Sequence, residues 1–287
     1  MPRPDEPFVA WLGAGALPDV SVVGGKGASL ARLAQLGFRV PPGFALTTTA
    51  FRAQLARVGV DGIERSPLDP EVGSRLAAAV DRLVGELVAS GFDPRFAVRS
   101  SAIAEDGAAT SYAGLHETEL DVRPDGIDAA VRRCWASLWS PVAIAYRQRN
   151  GVDGADAAMA VVVQALVPAD ASAVVFTRHP VTGRDDQLVI TSTRGLGDAM
   201  VSGTITPDTT VVDKRTRAVV EFDAGDGSDG PSGPALAPNV LADLVARSLD
   251  VEARFGVAVD IEAAHAGGVW YLLQARPITT GARVGAA

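Results

Sequence analysis

The chain has 287 residues, 47% of them hydrophobic and 21% charged, a composition typical of a globular protein that buries a substantial core. Its formal net charge is −8, whereas nucleic-acid-binding proteins usually carry an excess of basic residues. No apolar run approaches the ~20 residues of a membrane span. The single cysteine, Cys134, excludes an intramolecular disulfide and a cysteine-based zinc cluster, and we expect it to be core packing. Because the first residues do not resemble a secretory signal, we expect a cytoplasmic protein that binds neither nucleic acid nor membrane.

The first part of the chain has mainly helical patterns. GGKGASLARLAQLGF predicts a glycine turn followed by a short helix, and PPGFALTTTAFRAQL predicts a Pro-Pro turn, a strand and the start of a helix. Residues 71–91 have an amphipathic helical pattern that ends at Gly91. FAVRSSA predicts a short strand that runs into a loop, and residues 126–149 predict a helix broken near Pro141.

The second part of the chain is rich in strand patterns. MAVVVQALV and ASAVVFT predict two strands that form a hairpin across PAD, and QLVITSTRG, TTVVDK and AVVEFD predict further strands. Residues 238–255 predict a helix with Asn239 as its cap, and VAVDIEAA and VWYLLQARP predict two closing strands. The order of elements predicts an α+β chain with two lobes, approximately residues 1–157 and 158–287.

The glycine-rich segment at residues 24–27 is the first candidate for chemistry. Glycines let backbone N–H groups approach an anion, the N-terminus of the following helix favours negative charge, and Lys26 adds a point charge. The segment is not a Walker A loop, because Gly27 stands where that loop has serine or threonine. The alternative interpretation is a glycine-rich start of a helix with a solvated lysine.

Arg99 is the second candidate, at the end of the FAVRSSA strand. It stands beside two serines and before Glu105 and Asp106. A guanidinium at this place can hold a phosphate through two parallel hydrogen bonds. The alternative interpretation is a salt bridge from Arg99 to one of the two acids.

The two closing strands carry a third cluster. In DIE, the carboxylates of Asp260 and Glu262 share one strand face, and Gln274 and Arg276 share one face of the next strand. If the hairpin brings these faces into register, two carboxylates, an amide oxygen and an arginine lie side by side. Such oxygens suit Mg²⁺, which bridges phosphates, and Arg276 would neutralise phosphate oxygens near the metal. The alternative interpretation is an exposed polar sheet face.

Histidines and nucleophiles offer no competing site. The sequence has no G-x-S-x-G element, and His116, His179 and His265 stand in no recognisable triad or metal spacing. We interpret His179 and His265 as turn residues and His116 as a loop residue.

Taken in chain order, these motifs resemble the ATP-binding domain of the phosphoenolpyruvate synthase, pyruvate phosphate dikinase and rifampin phosphotransferase family. The resemblance spans about residues 21–280, and the order of the motifs makes it specific. Eight stretches carry it: GGKGASLARLAQLGFRVPPGFALTT, FAVRSSAIAED, TSYAGLHET, ASLWSPVAIAYRQRNG, AVVVQALV, AVVFTRHPVTG, GLGDAMVSGTITPD and DIEAAHAGGVWYLLQARPIT. It implies a single domain over residues 1–287 with an ATP-grasp-like fold, in which two lobes clamp Mg-ATP.

The resemblance also implies roles for individual residues. Lys26, Arg99 and Arg276 match the phosphate-binding residues that would act in catalysis, and Glu262 and Gln274 match the metal ligands. Thr118 falls in the mobile loop region that covers the phosphates. Gln164 and the three residues after it match the strand that meets adenine. Asp198 matches an acidic residue that contacts the nucleotide. These further nucleotide-binding residues are Thr118, Gln164, Ala165, Leu166, Val167 and Asp198.

Three positions depart from the family pattern. Asp198 stands where the family has glutamate, Ala173 stands where it has glycine, and Ala263 stands where an aromatic residue often follows DIE. The phosphate and metal residues match the pattern.

In the family, a swivelling domain with a phosphorylatable histidine and an acceptor domain follow this region, and nothing in the chain resembles them. We therefore predict the ATP-binding component of a split dikinase, which converts ATP to AMP and phosphate and passes a phosphoryl group to a histidine on a separate partner chain. That partner would phosphorylate pyruvate, an enolisable carbonyl compound or a small-molecule hydroxyl. Two alternatives stay open: direct phosphorylation of a small molecule such as an antibiotic, and a nucleotide-binding regulatory module without turnover.

Overall fold

The computed structural model describes residues 8–13, 15–103, 118–149, 158–226 and 233–278. The chain divides into two units. The N-terminal unit consists of Met1–Gln35 with Pro41–Leu166, and the C-terminal unit consists of Leu36–Val40 with Val167–Ala287. The chain therefore crosses between the units three times.

The N-terminal unit is built on a five-stranded antiparallel sheet in the order β1-β2-β5-β3-β4. Its elements in chain order are β1 (Val9–Trp11), α1 (Val20–Gln35), β2 (Gly43–Leu46), α2 (Thr48–Gly62), α3 (Pro70–Ala89), β3 (Phe96–Ala102), β4 (Thr118–Val122), α4 (Ile127–Ala136), α5 (Pro141–Arg149) and β5 (Met159–Ala165).

Helix α3 shows how local sequence sets these bounds. The Asp69 side chain accepts hydrogen bonds from the N–H groups of Glu71 and Val72, and Pro70 occupies the first turn, where its missing N–H costs nothing. The helix ends shortly before Gly91, whose φ of 80° breaks the helical path. Its buried residues recur at helical spacing: Val72, Leu76, Ala79, Val80, Leu83 and Leu87. The predicted amphipathic helix is confirmed.

The two faces of the N-terminal sheet carry different residues. On one face, Phe96 and Val98 of β3 belong to a hydrophobic core shared with α2, α3 and α4, and fully buried Cys134 packs there as predicted. Because side chains alternate along a strand, Arg99 and Ser101 of β3 lie on the opposite face. Helix α1 packs against that opposite face.

The C-terminal unit is built on a six-stranded antiparallel sheet in the order β11-β10-β6-β7-β8-β9. Its elements in chain order are β6 (Ala171–Phe176), β7 (Gln187–Arg194), α6 (Asp198–Val201), β8 (Asp208–Asp213), β9 (Val219–Asp223), α7 (Pro238–Phe255), β10 (Val259–Ala266) and β11 (Val269–Pro277). Helix α7 covers one sheet face, and the indole N–H of Trp270 donates to the carbonyl of Val240 in this helix at 3.1 Å. The mixed helix and sheet content confirms the predicted α+β class.

Two predicted details of the fold are wrong. Strands β5 and β6 form no hairpin, because β5 is paired on both edges by β2 and β3 and β6 is paired on both edges by β10 and β7. The PAD segment instead belongs to the last crossing between the units. Asn239 does not cap α7, because Pro238 takes the first helical position, to which its fixed φ is suited, and Ala237 becomes the N-cap.

Candidate functional site

The GGKG segment contains the kink of α1, so the predicted glycine turn before a helix is present, and a short helical turn from Val20 precedes it. Gly24 has φ 69° and ψ 176°, in the region of backbone space that favours glycine. A Cβ atom at Gly24 would lie 2.1 Å from the carbonyl oxygen of Ser101, so the turn is pressed against β3. The Gly27 N–H donates to the Ser101 hydroxyl at 3.1 Å, and that hydroxyl donates to the carbonyl of Val23 at 2.8 Å.

Lys26 lies directly after this kink and is buried, with 8% of its surface exposed. The alternative interpretation of a solvated lysine is therefore wrong. An ammonium group is expensive to remove from water unless charged or polar groups surround it. Lys26 is therefore held by the protein beside the kink rather than free in solvent.

Strand β3 brings Arg99 to the sheet face on which α1 packs. Arg99 lies opposite Thr118 of β4 and opposite Val162 of β5. The expectation that Thr118 belongs to a loop is wrong, because its backbone pairs with β3 and it begins β4, where its side chain is exposed. Glu105, Asp106 and His116 lie outside the described residues.

The segment predicted to meet adenine ends β5. The Gln164 side chain is buried and its amide nitrogen donates to the carbonyl of Pro41 at 3.0 Å, so this residue ties β5 to the segment before β2. The N–H groups of Ala165 and Leu166 donate to other backbone carbonyls of the N-terminal unit, at 2.9 and 2.8 Å. Val167 begins the C-terminal unit, and its carbonyl accepts a hydrogen bond.

In the C-terminal unit, the closing hairpin has the register on which the third cluster depends. Glu262 lies directly opposite Gln274, and Asp260 lies directly opposite Arg276. Directly opposed residues point to the same side of an antiparallel sheet. The predicted juxtaposition of two carboxylates, an amide and an arginine is therefore present, on what we term the carboxylate face.

A bulge between Glu262 and Ala263 makes this arrangement possible. The register passes from Glu262 opposite Gln274 to Ala263 opposite Leu272, so β11 has one extra residue, Leu273, at this point. Gln274 therefore lies on the carboxylate face, while Leu272 lies on the face covered by α7. Without the extra residue, Leu272 and Gln274 would share one face. Because of the bulge, β11 contributes Leu272 to the buried face and Gln274 to the polar cluster.

Asp260, which is buried, forms an ion pair with Arg276, which is partly exposed. The guanidinium donates to one carboxylate oxygen of Asp260 through Nε at 2.9 Å and through a terminal nitrogen at 2.8 Å. Burial raises the pKa of Asp260 above its ordinary value of 3.8, the charge and hydrogen bond of Arg276 oppose this rise, and the charge of Glu262 adds to it. With 8% of Asp260 and 5% of Gln274 exposed, the alternative interpretation of an exposed polar face is wrong.

The cluster has oxygen donors of the kind that Mg²⁺ prefers. The second carboxylate oxygen of Asp260 is buried and has no hydrogen-bond partner among the described residues, and Glu262 and Gln274 lie beside it. No group of three or more His, Cys, Asp or Glu residues in the described chain has the arrangement of a metal cage. The carboxylate and amide oxygens of Glu262 and Gln274 are ligand types that Mg²⁺ accepts.

Asp198 begins the four-residue helix α6 and is exposed. The loop before it is held by Ser172, whose hydroxyl donates to the carbonyl of Gly195 at 2.7 Å. Ser172 is two positions from Val174, which lies opposite Glu262, so alternation puts Ser172 on the carboxylate face. The loop that carries Asp198 thus contacts the same face as the metal-type donors.

The two alanine departures from the family pattern are neighbours. Ala173 of β6 lies directly opposite Ala263 of β10, and both are buried on the face that α7 covers. The two departures therefore affect the same contact. Two alanines pack together where the family pattern usually has glycine and often an aromatic residue. Neither side chain lies on the carboxylate face.

The two described histidines have structural contacts. His179 is a turn residue as predicted, and its Nδ1 accepts hydrogen bonds from the N–H groups of Val181 and Thr182 at 3.2 and 3.3 Å. His265 is not a turn residue, because it pairs within β10 and packs edge-on against Trp270 with ring centroids 5.1 Å apart.

Replacing Gly24 by alanine is expected to lower the free energy of unfolding by more than about 2 kcal/mol, because the new Cβ meets backbone and the conformation is strained. Urea unfolding measures this. Gly85 is the matched control: it is an exposed glycine inside α3 with open space around it, so Gly85→Ala is expected to stabilise by up to about 1 kcal/mol. Equal effects of the two variants would contradict the close approach of Gly24 to β3.

Two contacts were not predicted: the ion pair of Asp260 with Arg276, and the contact between Ser101 and α1. The first had a signal, since Asp260 shares strand parity with Glu262. The second had none, because it joins residues 74 positions apart.

The family model of the pyruvate phosphate dikinase AMP/ATP-binding domain matches residues 20–63 and 57–229. The chain belongs to this family, which agrees with the predicted ATP-grasp-like class. It is 32% identical to a probable phosphoenolpyruvate synthase of Methanocaldococcus jannaschii over 95% of the chain and 27% of that protein. It is 35% identical to a probable phosphoenolpyruvate synthase of Methanothermobacter thermautotrophicus over 95% of the chain and 46% of that protein. It is 37% identical to a rifampicin phosphotransferase of Streptomyces sviceus over 91% of the chain and 34% of that protein.

The chain thus spans between about a quarter and a half of the length of these relatives. In the described part of the chain, no helix combines the length and the apolar character needed to cross a membrane.

Proposed function

We propose that the chain binds Mg-ATP and transfers a phosphoryl group from it, as the nucleotide-binding part of a dikinase-type phosphotransferase. The observation that carries this proposal is the register of the closing hairpin, which sets Glu262 beside Gln274 and Asp260 beside Arg276. Family membership and the names of the relatives support the same class of reaction.

The three cationic residues predicted to act in catalysis have the chemistry that phosphoryl transfer needs. The reaction gathers charge on phosphate oxygens, so positioned cations lower its barrier without a protein nucleophile. Lys26 and Arg99 belong to the N-terminal unit and Arg276 to the C-terminal unit. We propose a phosphate-binding role for each of them, and Thr118 beside Arg99 adds a hydroxyl.

Glu262 and Gln274 would hold Mg²⁺ through a carboxylate and an amide oxygen, and the bound ion would neutralise phosphate charge. Asp260 orients Arg276 through the ion pair and offers its second carboxylate oxygen to the same region. Adenine would meet the residues that follow Gln164, namely Ala165, Leu166 and Val167, and Asp198 would contact the nucleotide from its loop.

We further propose that the phosphoryl group passes to a histidine outside the 287 residues, carried by a separate partner chain, with AMP and phosphate as products. The structural contacts of two histidines support an acceptor other than these two, because His179 uses Nδ1 in a turn and His265 packs against Trp270. The final acceptor would belong to the classes that the relatives' names suggest, pyruvate or the hydroxyl of a small molecule.

The lysine content of the chain allows a direct test of the phosphate assignment. The sequence contains two lysines, Lys26 and Lys214, and the Lys214 amine pairs with Glu252 at 2.7 Å. An ATP analogue with an acyl phosphate at its γ end acylates a lysine amine close to the phosphates. Peptide mass spectrometry is expected to find the acyl group on Lys26, with protection by excess Mg-ATP. Equal modification of Lys214, or no protection, would argue against the site.

Product analysis tests the reaction itself. The purified chain is incubated with β-labelled or γ-labelled ATP and Mg²⁺, with and without a protein that carries the family's histidine domain. AMP, phosphate and a β-labelled histidine that form only with the partner are the expected result. ADP without a labelled protein would point instead to direct phosphorylation of a small molecule, and tight ATP binding without turnover to a regulatory module.

A further inference from the structure

Ser101 occupies the place of one backbone hydrogen bond of α1. In a regular α-helix, the N–H of Gly27 would donate to the carbonyl of Val23, four residues earlier. In this protein the Gly27 N–H donates to the Ser101 hydroxyl at 3.1 Å, and the same hydroxyl donates to the carbonyl of Val23 at 2.8 Å. A hydroxyl can accept and donate at once, so Ser101 bridges the two helical groups that it keeps apart.

The kink at Gly24 lies at the turn that this hydroxyl bridges. A side chain that enters the hydrogen-bond ladder of a helix is one of the identified causes of a sharp kink. Gly24 lies inside the interrupted turn with φ 69°, and a Cβ there would lie 2.4 Å from the Ser101 hydroxyl oxygen. Ser101 is completely buried, so the bridge is shielded from bulk water.

We propose that Ser101 is a positioning residue for Lys26, an inference that rests on the proposed function. Lys26 lies between the kink at Gly24 and the bridged N–H of Gly27, so the bridge sets the direction of its backbone. Arg99 stands two residues before Ser101, on the same face of β3. One strand therefore carries a phosphate-binding arginine and the hydroxyl that orients the phosphate-binding lysine.

Loss of the hydroxyl would let α1 close its own hydrogen bond. In Ser101→Ala, the Gly27 N–H and the Val23 carbonyl can pair directly, which straightens the turn and rotates Lys26 away from its present direction. The dissociation constant for ATP is expected to rise roughly tenfold, the scale of one or two buried hydrogen bonds. Binding of adenosine, which has no phosphates, is expected to stay unchanged.

Ser100→Ala is the matched control. Ser100 is adjacent, equally buried and on the opposite face of β3, so its removal deletes the same group in the same strand. We expect a comparable loss of stability in urea but an unchanged dissociation constant for ATP. Ser101→Cys keeps nearly the same size with a weaker donor and acceptor, and is expected to weaken ATP binding less than Ser101→Ala.

A double-mutant cycle with Lys26→Met tests whether Ser101 acts through Lys26. All four proteins are titrated with Mg-ATP by calorimetry, and their folding is checked by circular dichroism. If Ser101 positions Lys26, Ser101→Ala has little further effect on ATP affinity when Lys26 is already methionine. Hydrogen exchange at the Gly27 amide is expected to change in Ser101→Ala and not in Ser100→Ala.

The outcomes separate this inference from the proposed function. If Lys26→Met leaves ATP affinity unchanged, the phosphate assignment itself fails. If Lys26→Met weakens ATP binding but Ser101→Ala acts equally in both backgrounds, or no more than Ser100→Ala, the positioning role of Ser101 is overturned. If Ser101→Ala does not fold, Ser101→Cys carries the same comparison.

Discussion

Replacing Lys26 by methionine is expected to lower kcat/KM for ATP by about 10²–10³-fold, measured with a protein that carries the family's histidine domain as the proposed acceptor. Methionine keeps the unbranched shape of lysine and fits a buried position, so the change removes the charge and little of the packing. The effect should be on kcat/KM as a whole, because the lysine would meet phosphate charge that grows in the transition state.

Lys214→Met provides the control for this experiment. Lys214 is mostly buried and pairs with Glu252, so its loss should cost stability through a broken ion pair. It lies after β8, away from the GGKG segment and from the residues of the closing hairpin in sequence, and no role in ATP use is assigned to it. A fall in kcat/KM of similar size for both variants would show that lost stability, not lost phosphate contact, explains the Lys26 result.

Replacing Arg276 by methionine is expected to reduce both activity and stability. The variant leaves the buried Asp260 carboxylate without its cation. The expected loss of unfolding free energy is smaller than the about 3–5 kcal/mol of a fully buried pair, because Arg276 is partly exposed to solvent. The variant also removes a cation from the proposed phosphate site, and this loss should lower kcat/KM by about 10²-fold. Urea unfolding and the coupled assay measure the two effects separately.

The double variant Arg276→Met with Asp260→Asn distinguishes the two roles. Removing the charge of Asp260 leaves no uncompensated carboxylate, so stability should largely return. Activity should not return, because the phosphate cation is still missing. Recovery of activity together with stability would mean that Arg276 serves only the fold.

The pH dependence of stability gives a second check on the same pair. The pKa of Asp260 is raised above 3.8 in the folded protein, so the folded state favours the protonated carboxyl group. The stability that this group contributes is complete below pH 3.8 and is lost as the pH rises through the folded-state pKa. Arg276→Met removes the group that opposes this rise, so the penalty of the variant should be larger at pH 8 than at pH 5. The measurement is urea unfolding of the nucleotide-free protein in EDTA, with Asp260→Asn lacking this dependence as control.

Much of the fold followed from local patterns, because the relevant interactions are close in sequence. The apolar spacing of α3, the proline near its start and Gly91 after its end all act within a few residues. The pairing of β5 did not follow, since two adjacent strands separated by a short turn have the local signature of a hairpin. The strands that pair with β5 are far away from it in sequence or separated from it by other elements. No local pattern therefore predicts that both edges of β5 are paired.

In the candidate site, too, the local features were predicted and those that depend on tertiary packing were not. Alternation predicted which residues share a face on each closing strand, and it predicted their juxtaposition on the condition that the hairpin has the matching register, which it has. The bulge at Leu273 was not predicted, since the bulge residue is an ordinary leucine in an apolar run. The burial of Lys26 and the contact of Ser101 with α1 depend on tertiary packing, so the sequence left the lysine open to two interpretations.

The position of β5 has a consequence for how the protein is made. Strands β2 and β3 both pair with β5 and not with each other, yet β5 is the last strand of its sheet to leave the ribosome. Until Met159–Ala165 emerges, the earlier strands can form only two separate pairs, each with an open edge of unpaired backbone groups. Such edges invite pairing with other chains, so nascent chains stalled before Met159 should be the aggregation-prone species in a cell.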